Sequence, residues 1–406
     1  MAGDDAATTT IDGAGPRQPL LTRQVVWFLI CAVVSMTSFF LLLSVVPLYA
    51  SGGDESSVAA GLTTGAMMLA TVVSEFFTTG FLIRFGYRIG LATGIVLLGA
   101  PPLLLPLSDA LPLILLVSLV RGVGLAITVV AGTSLAAALS PEGRRGEMLG
   151  VYGIGVSVPA IAALPAGVWL SEEIGFTAVF LLSAVFMPVA LLACAYFRAP
   201  HPETEKGSHN LLVALRWPGI AAQTVIFTTT TIAAGVFVTF LPLAVEGDSS
   251  GIAALGLLAQ ALTAAVSRWA IGRAADRYGA GRLLVPAMAV TALGAACLIA
   301  VGSSAAVILG MALFGLGYGG AQSVTLMLMF ERAPSNEIDR VSSVWNLAFD
   351  GGLGIGAVSF GYLTAATGYP WGFAGIALVL VAAVGLSAAD GREARFGSQR
   401  LSENPA

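Results

Sequence analysis

Four charged side chains, Glu75, Arg121, Arg268 and Asp350, lie inside long runs of apolar residues. A charged group at bilayer depth costs at least about 2.5 to 3.5 kcal/mol, so it usually faces a partner or a water-filled cavity. Carboxylates in such surroundings can take up and release protons, and arginines can pair with carboxylates or with anionic ligands. The chemistry that these residues suggest is proton transfer and ion pairing.

Three of them lie at similar depth. Glu75 precedes Ile83, and Arg268 precedes Asp276, by eight residues, or about 12 Å of helix. Asp350 lies nine residues into an apolar run that begins at residue 341. Two interpretations of Asp350 remain open, a proton-coupling site or a permanent ion pair with Arg268 that fixes helix packing. Glu75 is interpreted as a residue for proton coupling or for substrate contact.

Arg121 lies nearer the middle of its apolar run. It could pair with an anionic substrate, or with a carboxylate during proton exchange. It could equally donate hydrogen bonds to carbonyl groups of neighbouring helices. The sequence favours none of these roles.

The composition places the chain in a lipid bilayer. Of its 406 residues, 57% are hydrophobic and 10% are charged, with a mean hydropathy of +0.89, values outside the range of soluble domains. A net charge of -4 leaves no basic surface for nucleic acid. The cysteines lie singly in apolar runs and both histidines fall in one polar loop, so no metal site is predicted. No nucleophile arrangement or cofactor-binding loop is visible, and an enzyme is not expected.

The elements that must position the charges are helices. A bilayer core about 30 Å thick needs about 20 apolar residues of helix, and the apolar runs are too long for barrel strands. An all-α membrane protein with twelve transmembrane helices is predicted. The predicted spans cover residues 25–50, 58–83, 89–108, 111–139, 147–170, 176–197, 219–244, 251–272, 282–302, 305–330, 341–365 and 370–388.

Arginine and lysine collect on one side of this alternating arrangement, which indicates the cytoplasmic side. We call this side the basic face; its loops and termini hold Arg17, Arg23, Arg84, Arg88, Arg144, Arg145, Arg198, Lys206, Arg216, Arg273, Arg277, Arg282, Arg332, Arg340, Arg392, Arg395 and Arg400. The opposite side, the acidic face, holds Asp54, Glu55, Asp109, Glu172, Glu173, Glu246 and Asp248. Both termini are therefore predicted to be cytoplasmic, and the first residues lack the apolar stretch of a secretory signal.

The longest polar interruption divides the chain into two sets of six spans. The predicted organisation is a disordered cytoplasmic tail, an N-terminal six-helix bundle, a central cytoplasmic loop, a C-terminal six-helix bundle and a second cytoplasmic tail. In chain order these parts cover residues 1–24, 25–197, 198–218, 219–388 and 389–406.

A weak repeat relates the two bundles. Residues 74–86 and 267–279 share serine, arginine, an aromatic residue and glycine at the same spacing, each at the end of the second span of its half. Similar halves in parallel orientation are one known plan of transporters, with the substrate site at the interface between them.

Five residues between spans eight and nine resemble the G-x-x-x-D-R-x-G signature of the major facilitator superfamily: Gly272, Asp276, Arg277, Gly279 and Arg282. The resemblance covers essentially the whole chain. In addition, residues 150–167 look like the span-five motif of bacterial drug/proton antiporters. The resemblance implies two pseudo-symmetric six-helix bundles that expose a central site to each side of the membrane in turn.

The chain departs from this family pattern after span two, where Ile83 stands in place of the signature aspartate. The resemblance implies that this aspartate latches the cytoplasmic side by meeting a helix N-terminus of the other half, a favourable use of the helix dipole. Only Asp276 can do so here, and the start of span five near Arg144 and Arg145 is its expected partner.

Spans two and eleven pack together across the interface in this family, so the resemblance implies that Glu75 and Asp350 lie close to each other. Two carboxylates in a poorly solvated site do not both ionise cheaply, so one should hold a proton. We expect protonation to weaken the pairing of this site with Arg268 and to shift the population between two conformations.

Polar residues elsewhere in the spans are candidates to line a substrate cavity. Amide side chains are the better candidates, because amides demand hydrogen-bond partners in lipid. The candidates are Gln223, Gln260, Tyr318, Gln322 and Asn346.

The residues and the resemblance together predict a secondary active transporter, a monomer that exports small amphipathic molecules or drugs in exchange for protons. Two alternatives are a proton symporter that imports a sugar or an organic anion, and a non-transporting membrane receptor or scaffold. The expected partners are a small-molecule substrate, protons and the lipid bilayer, without nucleic acid, metal or cofactor. The expected location is the inner (plasma) membrane.

Overall fold

The fold is described from a computed structural model. It describes residues 19–52, 56–141, 144–200, 216–217, 219–245, 250–334 and 337–403; within these ranges, only the backbone is described for residues 250, 276, 339 and 393–403. The predicted N-terminal tail and central loop lie largely outside these ranges.

The described part of the chain is almost entirely helical. The helices are α1 (Arg23–Leu43), α2 (Val45–Ser51), α3 (Ser57–Phe85), α4 (Tyr87–Gly99), α5 (Leu111–Ala138), α6 (Arg145–Glu173), α7 (Phe176–Tyr196), α8 (Ile220–Ala244), α9 (Ser250–Tyr278), α10 (Ala280–Cys297), α11 (Ser304–Arg332), α12 (Ile338–Thr367) and α13 (Tyr369–Glu403). Short 3₁₀ segments, Pro101–Leu107 and Leu298–Ala300, prolong α4 and α10.

Each predicted span coincides with one helix or with two consecutive segments, because apolar runs of this length can satisfy their backbone only as helices in lipid. Eleven of the described helical segments are long and apolar enough to cross a bilayer. Helix α12, which carries Asp350, is 30 residues long but is not among the eleven. The last helix continues to Glu403, so it extends beyond residue 388, where the last span was predicted to end and a cytoplasmic tail to begin.

From the second long helix of each half onward, the internal repeat runs without insertion or deletion, whereas the first helices, α1 and α8, begin 197 residues apart (23 to 220). Five helices of the first half begin at residues 57, 87, 111, 145 and 176, and five of the second begin at residues 250, 280, 304, 338 and 369. Every pair differs by the same offset, 193 residues (57 to 250, 145 to 338). Residues of the two halves can therefore be compared position by position.

Glycines end the repeated helices at corresponding positions. Gly86 and Gly279 separate the second and third long helices of their halves, with φ angles of 83° and 86°. Gly175 and Gly368 precede the last helix of each half, with φ angles of 84° and 78°. Glycine adopts positive φ without the steric cost of a Cβ, so these four residues set equivalent sharp turns in both halves.

The two halves meet mainly through two pairs of helices. Helix α3 packs against α12, and α6 packs against α9. The repeat exchanges these pairs, since α3 corresponds to α9 and α6 to α12. Residues at these two crossings therefore occupy the boundary between the halves.

Candidate functional site

Small residues let α3 and α12 approach closely on the acidic-face side of the structure. A Cβ on Gly61 would collide with the carbonyl oxygen of Ala357. Nearer the helix end, the hydroxyl of Ser57 donates to the carbonyl of Gly361 at 2.9 Å. Close backbone approach through small residues is the usual way in which membrane helices pack tightly.

Two further hydroxyl contacts close the same side. Ser44 donates to the carbonyl of Val238 at 2.6 Å, and the hydroxyl oxygens of Thr64 and Thr239 lie 3.0 Å apart. All of these residues lie in the acidic-face half of their helices. The two halves of the protein are therefore closed against each other on this side.

Glu75 of α3 and Asp350 of α12 also lie at this crossing. Their carboxyl groups lie within hydrogen-bonding reach of each other, one from each half of the protein. Toward the basic face, Thr79 on α3 and Asn346 on α12 are both exposed. The structure therefore brings the two predicted carboxyl residues together at the boundary between the halves.

Two carboxyl groups in hydrogen-bonding contact can share a proton, because a bare pair of like charges repels. At a separation of 4 Å and an effective dielectric constant of about 20, that repulsion is about 4 kcal/mol. Both side chains are only partly buried, so protons can reach them. The arrangement can therefore bind one proton and release it.

Arg268 does not pair with Asp350. Among the described side chains, the ion pairs within 4 Å are Arg144–Glu147, Arg332–Asp390 and Arg340–Glu337. The Arg268 guanidinium instead approaches the hydroxyl of Ser157, across the boundary on α6, at 3.5 Å. The expectation of an Arg268–Asp350 ion pair was wrong, because the rotation of α9 directs Arg268 toward α6.

Tyr318 lies close enough to both Arg268 and Asp350 to interact with them electrostatically. Its hydroxyl is within hydrogen-bonding reach of the Gln322 side chain, one helical turn along α11. The Oε1 atom of Gln322 is buried without a described partner. Tyr318, Gln322 and Gln260 are all buried, so of the predicted cavity residues only Asn346 is exposed.

Arg121 is sealed inside the first half, with only 1% of its surface exposed. One guanidinium nitrogen lies 3.5 Å from the carbonyl oxygen of Phe39, and another lies 3.9 Å from the sulfur of Met67. Its Nε has no described partner. This position agrees with one of the three roles that the sequence left open, hydrogen bonding to helix carbonyls.

Gln223 belongs to a separate polar cluster at the basic face. Its amide donates to Asp390 at 2.9 Å, and Arg332 forms a two-pronged ion pair with the same carboxylate at 2.9 and 2.7 Å. Arg332 also donates to the carbonyl of Gly219 at 3.0 Å. The cluster joins the ends of α8, α11 and α13, so Gln223 stabilises helix packing and does not line a cavity as predicted.

Sequence reasoning missed Ser157 and Asp390. Serine is common in membrane helices, and nothing local distinguishes Ser157. The repeat contained a signal, however, because residue 157 corresponds to residue 350 and residue 75 to residue 268 at the offset of 193 (157 to 350, 75 to 268). Asp390 lies beyond the predicted end of the last span, where the helix was not expected to continue.

The signature residues lie where α9 turns into α10 at the basic face. Gly279 forms the positive-φ turn, and Arg277 and Arg282 are exposed. Gly272 has open space where a side chain would stand. The side chain of Asp276 lies outside the described residues, so its expected contact with α6 stays a prediction.

Comparison with known proteins agrees with this architecture. The family model for the Major Facilitator Superfamily matches residues 28–357 and 224–399. No curated protein sequence matches the chain.

Solved structures share the fold at low sequence identity. A mutant of the nucleoside transporter NupG is 10% identical, with a TM-score of 0.76 over 90% of this chain and 99% of its own. A bacterial homologue of the human lysosomal transporter Spinster, inward-facing and occupied, is 13% identical, with a TM-score of 0.75 over 91% of this chain and 96% of its own. The structure of the same homologue in its inward-facing, unoccupied state is 14% identical, with a TM-score of 0.72 over 93% of this chain and 98% of its own.

The family match spans most of the chain, and the fold, the internal repeat and the charged boundary between the halves agree with it. The chain is a multi-pass integral membrane protein and belongs to the Major Facilitator Superfamily of transporters.

Proposed function

We propose that this protein is a proton-driven exporter of small amphipathic molecules. In this proposal twelve helices cross the inner membrane and two six-helix bundles alternate around a central site. The basic face is cytoplasmic, as the distribution of Lys and Arg favours. The contact between Glu75 and Asp350 at the boundary of the two halves carries the proposal.

The described conformation is taken to be inward-facing. The hydroxyl and glycine contacts of α3, α8 and α12 close the acidic-face side. Nearer the basic face, Arg268 and Asn346 are exposed. Two of the similar solved structures are of a protein in inward-facing states, which agrees with this assignment.

The carboxyl pair links protonation to conformation because its two members belong to different halves. While they share a proton, the pair holds α3 and α12 together in the described conformation. Loss of that proton to the cytoplasm introduces a repulsion of about 4 kcal/mol, enough to change a two-state equilibrium by about a thousandfold. The halves then separate on the acidic-face side and release cargo outward.

A proton from outside completes the cycle. It neutralises one carboxylate, lets the two groups meet again and returns the protein to the conformation described here. Each turn then moves a proton inward and cargo outward. This scheme replaces the predicted pairing of the site with Arg268, since that pair is not among the ion pairs of the described side chains.

Flux measurements in proteoliposomes test the proposal. Vesicles that contain the full chain receive a pH gradient, acidic outside, and a labelled panel of organic cations, neutral drugs, sugars and organic acids. We expect outward movement of one class, driven by the gradient. Asp350→Asn and Glu75→Gln should abolish the dependence on the gradient but leave exchange of cargo for cargo, while the exposed Asp109→Asn should resemble the wild type.

Two outcomes would contradict parts of the proposal. Unchanged pH dependence in Asp350→Asn would remove the carboxyl pair from the coupling mechanism. Cargo that moves inward together with protons would identify the protein as a symporter of a sugar or an organic anion.

A further inference from the structure

Arg268 is placed to contact cargo, and no acidic group in the described part of the chain pairs with it. Its side chain is exposed, approaches Ser157 of the other half at 3.5 Å, and lies near enough to Tyr318 for an electrostatic interaction. A guanidinium at this depth needs an anion or water. A serine hydroxyl at 3.5 Å supplies neither a charge nor a close hydrogen bond.

The other intramembrane arginine does not compete for this role. Arg121 is 1% exposed and is enclosed by residues of its own half. Of the two intramembrane arginines, cargo that enters between the halves can therefore contact Arg268 but not Arg121.

The internal repeat indicates that the polar groups around Arg268 are not required by the scaffold. At the offset of 193 (125 to 318, 129 to 322), Tyr318 and Gln322 correspond to the apolar residues Leu125 and Val129. The first half folds into the same helices without them. The second half carries a cationic centre flanked by a tyrosine hydroxyl where the first half carries Glu75 and apolar side chains.

We propose that Arg268 binds an anionic group on the cargo, so that the substrate class is amphipathic organic anions, with a carboxylate as the simplest member. Guanidinium binds carboxylate through two parallel N–H···O bonds, and the exposed side chain leaves its donors accessible. Ser157 approaches the guanidinium from α6 at 3.5 Å, and Tyr318 lies within electrostatic range of it.

Tyr318 lies close enough to both Arg268 and Asp350 to interact with them electrostatically, so this position would put the bound anion in the neighbourhood of the carboxyl pair. The inference rests on the proposed transport function, but not on its direction.

Ligand-induced thermal stabilisation of the purified full chain in detergent, at constant pH and without a gradient, tests this inference. The probes are phenylalkanoates and alkanoates of four to ten carbons, each compared with its own neutral amide and its own amine. We expect at least one carboxylate to raise the unfolding midpoint in a saturable manner, while its amide and amine do not.

Variants of Arg268 test whether this carboxylate-induced stabilisation depends on that residue. Arg268→Gln should weaken carboxylate binding by about tenfold or more, because one charge-assisted pair is lost, and Arg268→Lys should restore part of it. Arg273→Gln is the matched control, since Arg273 is exposed one helical turn nearer the basic face and stacks on Trp269.

The inference is overturned if no carboxylate in the panel binds, if amines bind in preference, or if carboxylate binding survives Arg268→Gln. Asp350→Asn separates this test from that of proton coupling. If Asp350→Asn binds the carboxylate but loses gradient-driven flux, both proposals stand. If wild-type flux ignores the gradient while carboxylate binding still depends on Arg268, only the coupling proposal fails.

Discussion

At the scale of single residues, the environments of the four intramembrane charges assign them different roles. Glu75 and Asp350 meet across the boundary between the halves, and Arg268 faces that boundary without an acidic partner among the described side chains. Arg121 is enclosed with weak contacts only. A buried charge without an acidic partner costs stability. Substitution of Arg121 is therefore expected to stabilise the protein, whereas substitution of Glu75, Asp350 or Arg268 is expected to impair proton coupling or cargo binding.

Arg121→Met should stabilise the protein. The methionine fills a similar volume with apolar atoms and removes a guanidinium whose Nε has no described partner. A charge at bilayer depth costs about 2.5 to 3.5 kcal/mol, so a gain in the free energy of unfolding of about 2 kcal/mol is expected. Unfolding of the purified protein by denaturant in micelles measures it.

Arg121→Lys is the control for this prediction, because it keeps a buried charge and should give no gain. If Arg121→Met instead unfolds more easily than the wild type, the weak contacts to Phe39 and Met67 stabilise the protein more than the buried charge costs.

At the scale of helices, packing at the α3–α12 crossing determines which side of the protein is closed. Gly61 lies directly against the Ala357 backbone, and three hydrogen bonds of hydroxyl groups join the halves nearby. Glycine costs helix stability relative to alanine, and here the absence of a Cβ permits the close approach. The closed side therefore depends on residues that carry no charge.

Gly61→Val should prevent closure of the acidic-face side, because the added side chain collides with the Ala357 carbonyl. Transport should fall at least tenfold, and the population should shift toward the conformation open at the acidic face. Labelling of Thr239→Cys, a fully buried position in this contact, by a membrane-impermeant maleimide should become faster.

Gly150→Val is the matched control, since a Cβ at Gly150 meets open space. Its labelling and transport should match those of the parent Thr239→Cys protein. Slow labelling in the Gly61→Val background would mean that the crossing adapts and that another contact closes this side.

At the scale of the whole molecule, the two halves are copies of one helical plan that differ in their charges. The repeat pairs Glu75 with Arg268 and Ser157 with Asp350 at the same offset (75 to 268, 157 to 350). Each half contributes one residue to each crossing, so both crossings carry a polar contact at equivalent positions. The differences in charge make one crossing sensitive to protons and leave the other with a cation that has no acidic partner among the described side chains.

The repeat predicts the effect of placing a carboxylate opposite Arg268. Ser157→Asp should form an ion pair with Arg268 across the boundary, because Ser157 already lies 3.5 Å from it and occupies the position equivalent to Asp350. We expect a higher unfolding midpoint and transport slowed about tenfold. Both effects should decrease in high salt, since the pair is partly exposed.

The double variant Ser157→Asp with Arg268→Gln removes the new pair and should lose the added stability. A midpoint that stays raised in the double variant would show that the effect comes from the introduced carboxylate alone, through a hydrogen bond within α6 or to another neighbour, and not from contact across the halves.

The amino-acid sequence by itself determined the positions of the helices, the alternation of charge between the two faces and the existence of a repeat. These features depend on the length of apolar runs and on local turn chemistry such as that of Gly86 and Gly279, which act within a short stretch of chain. The same reasoning identified Glu75, Arg268 and Asp350 as residues at one depth.

Only the tertiary structure decided which of these charges meet. Each residue turns the helix by about 100°, and a membrane helix that is apolar on all sides gives no indication of which face points inward. Hydropathy therefore could not show that Arg268 faces Ser157, that Arg121 is enclosed, or that Gln223 binds Asp390. Those contacts follow from helix rotation, which packing against neighbouring helices sets.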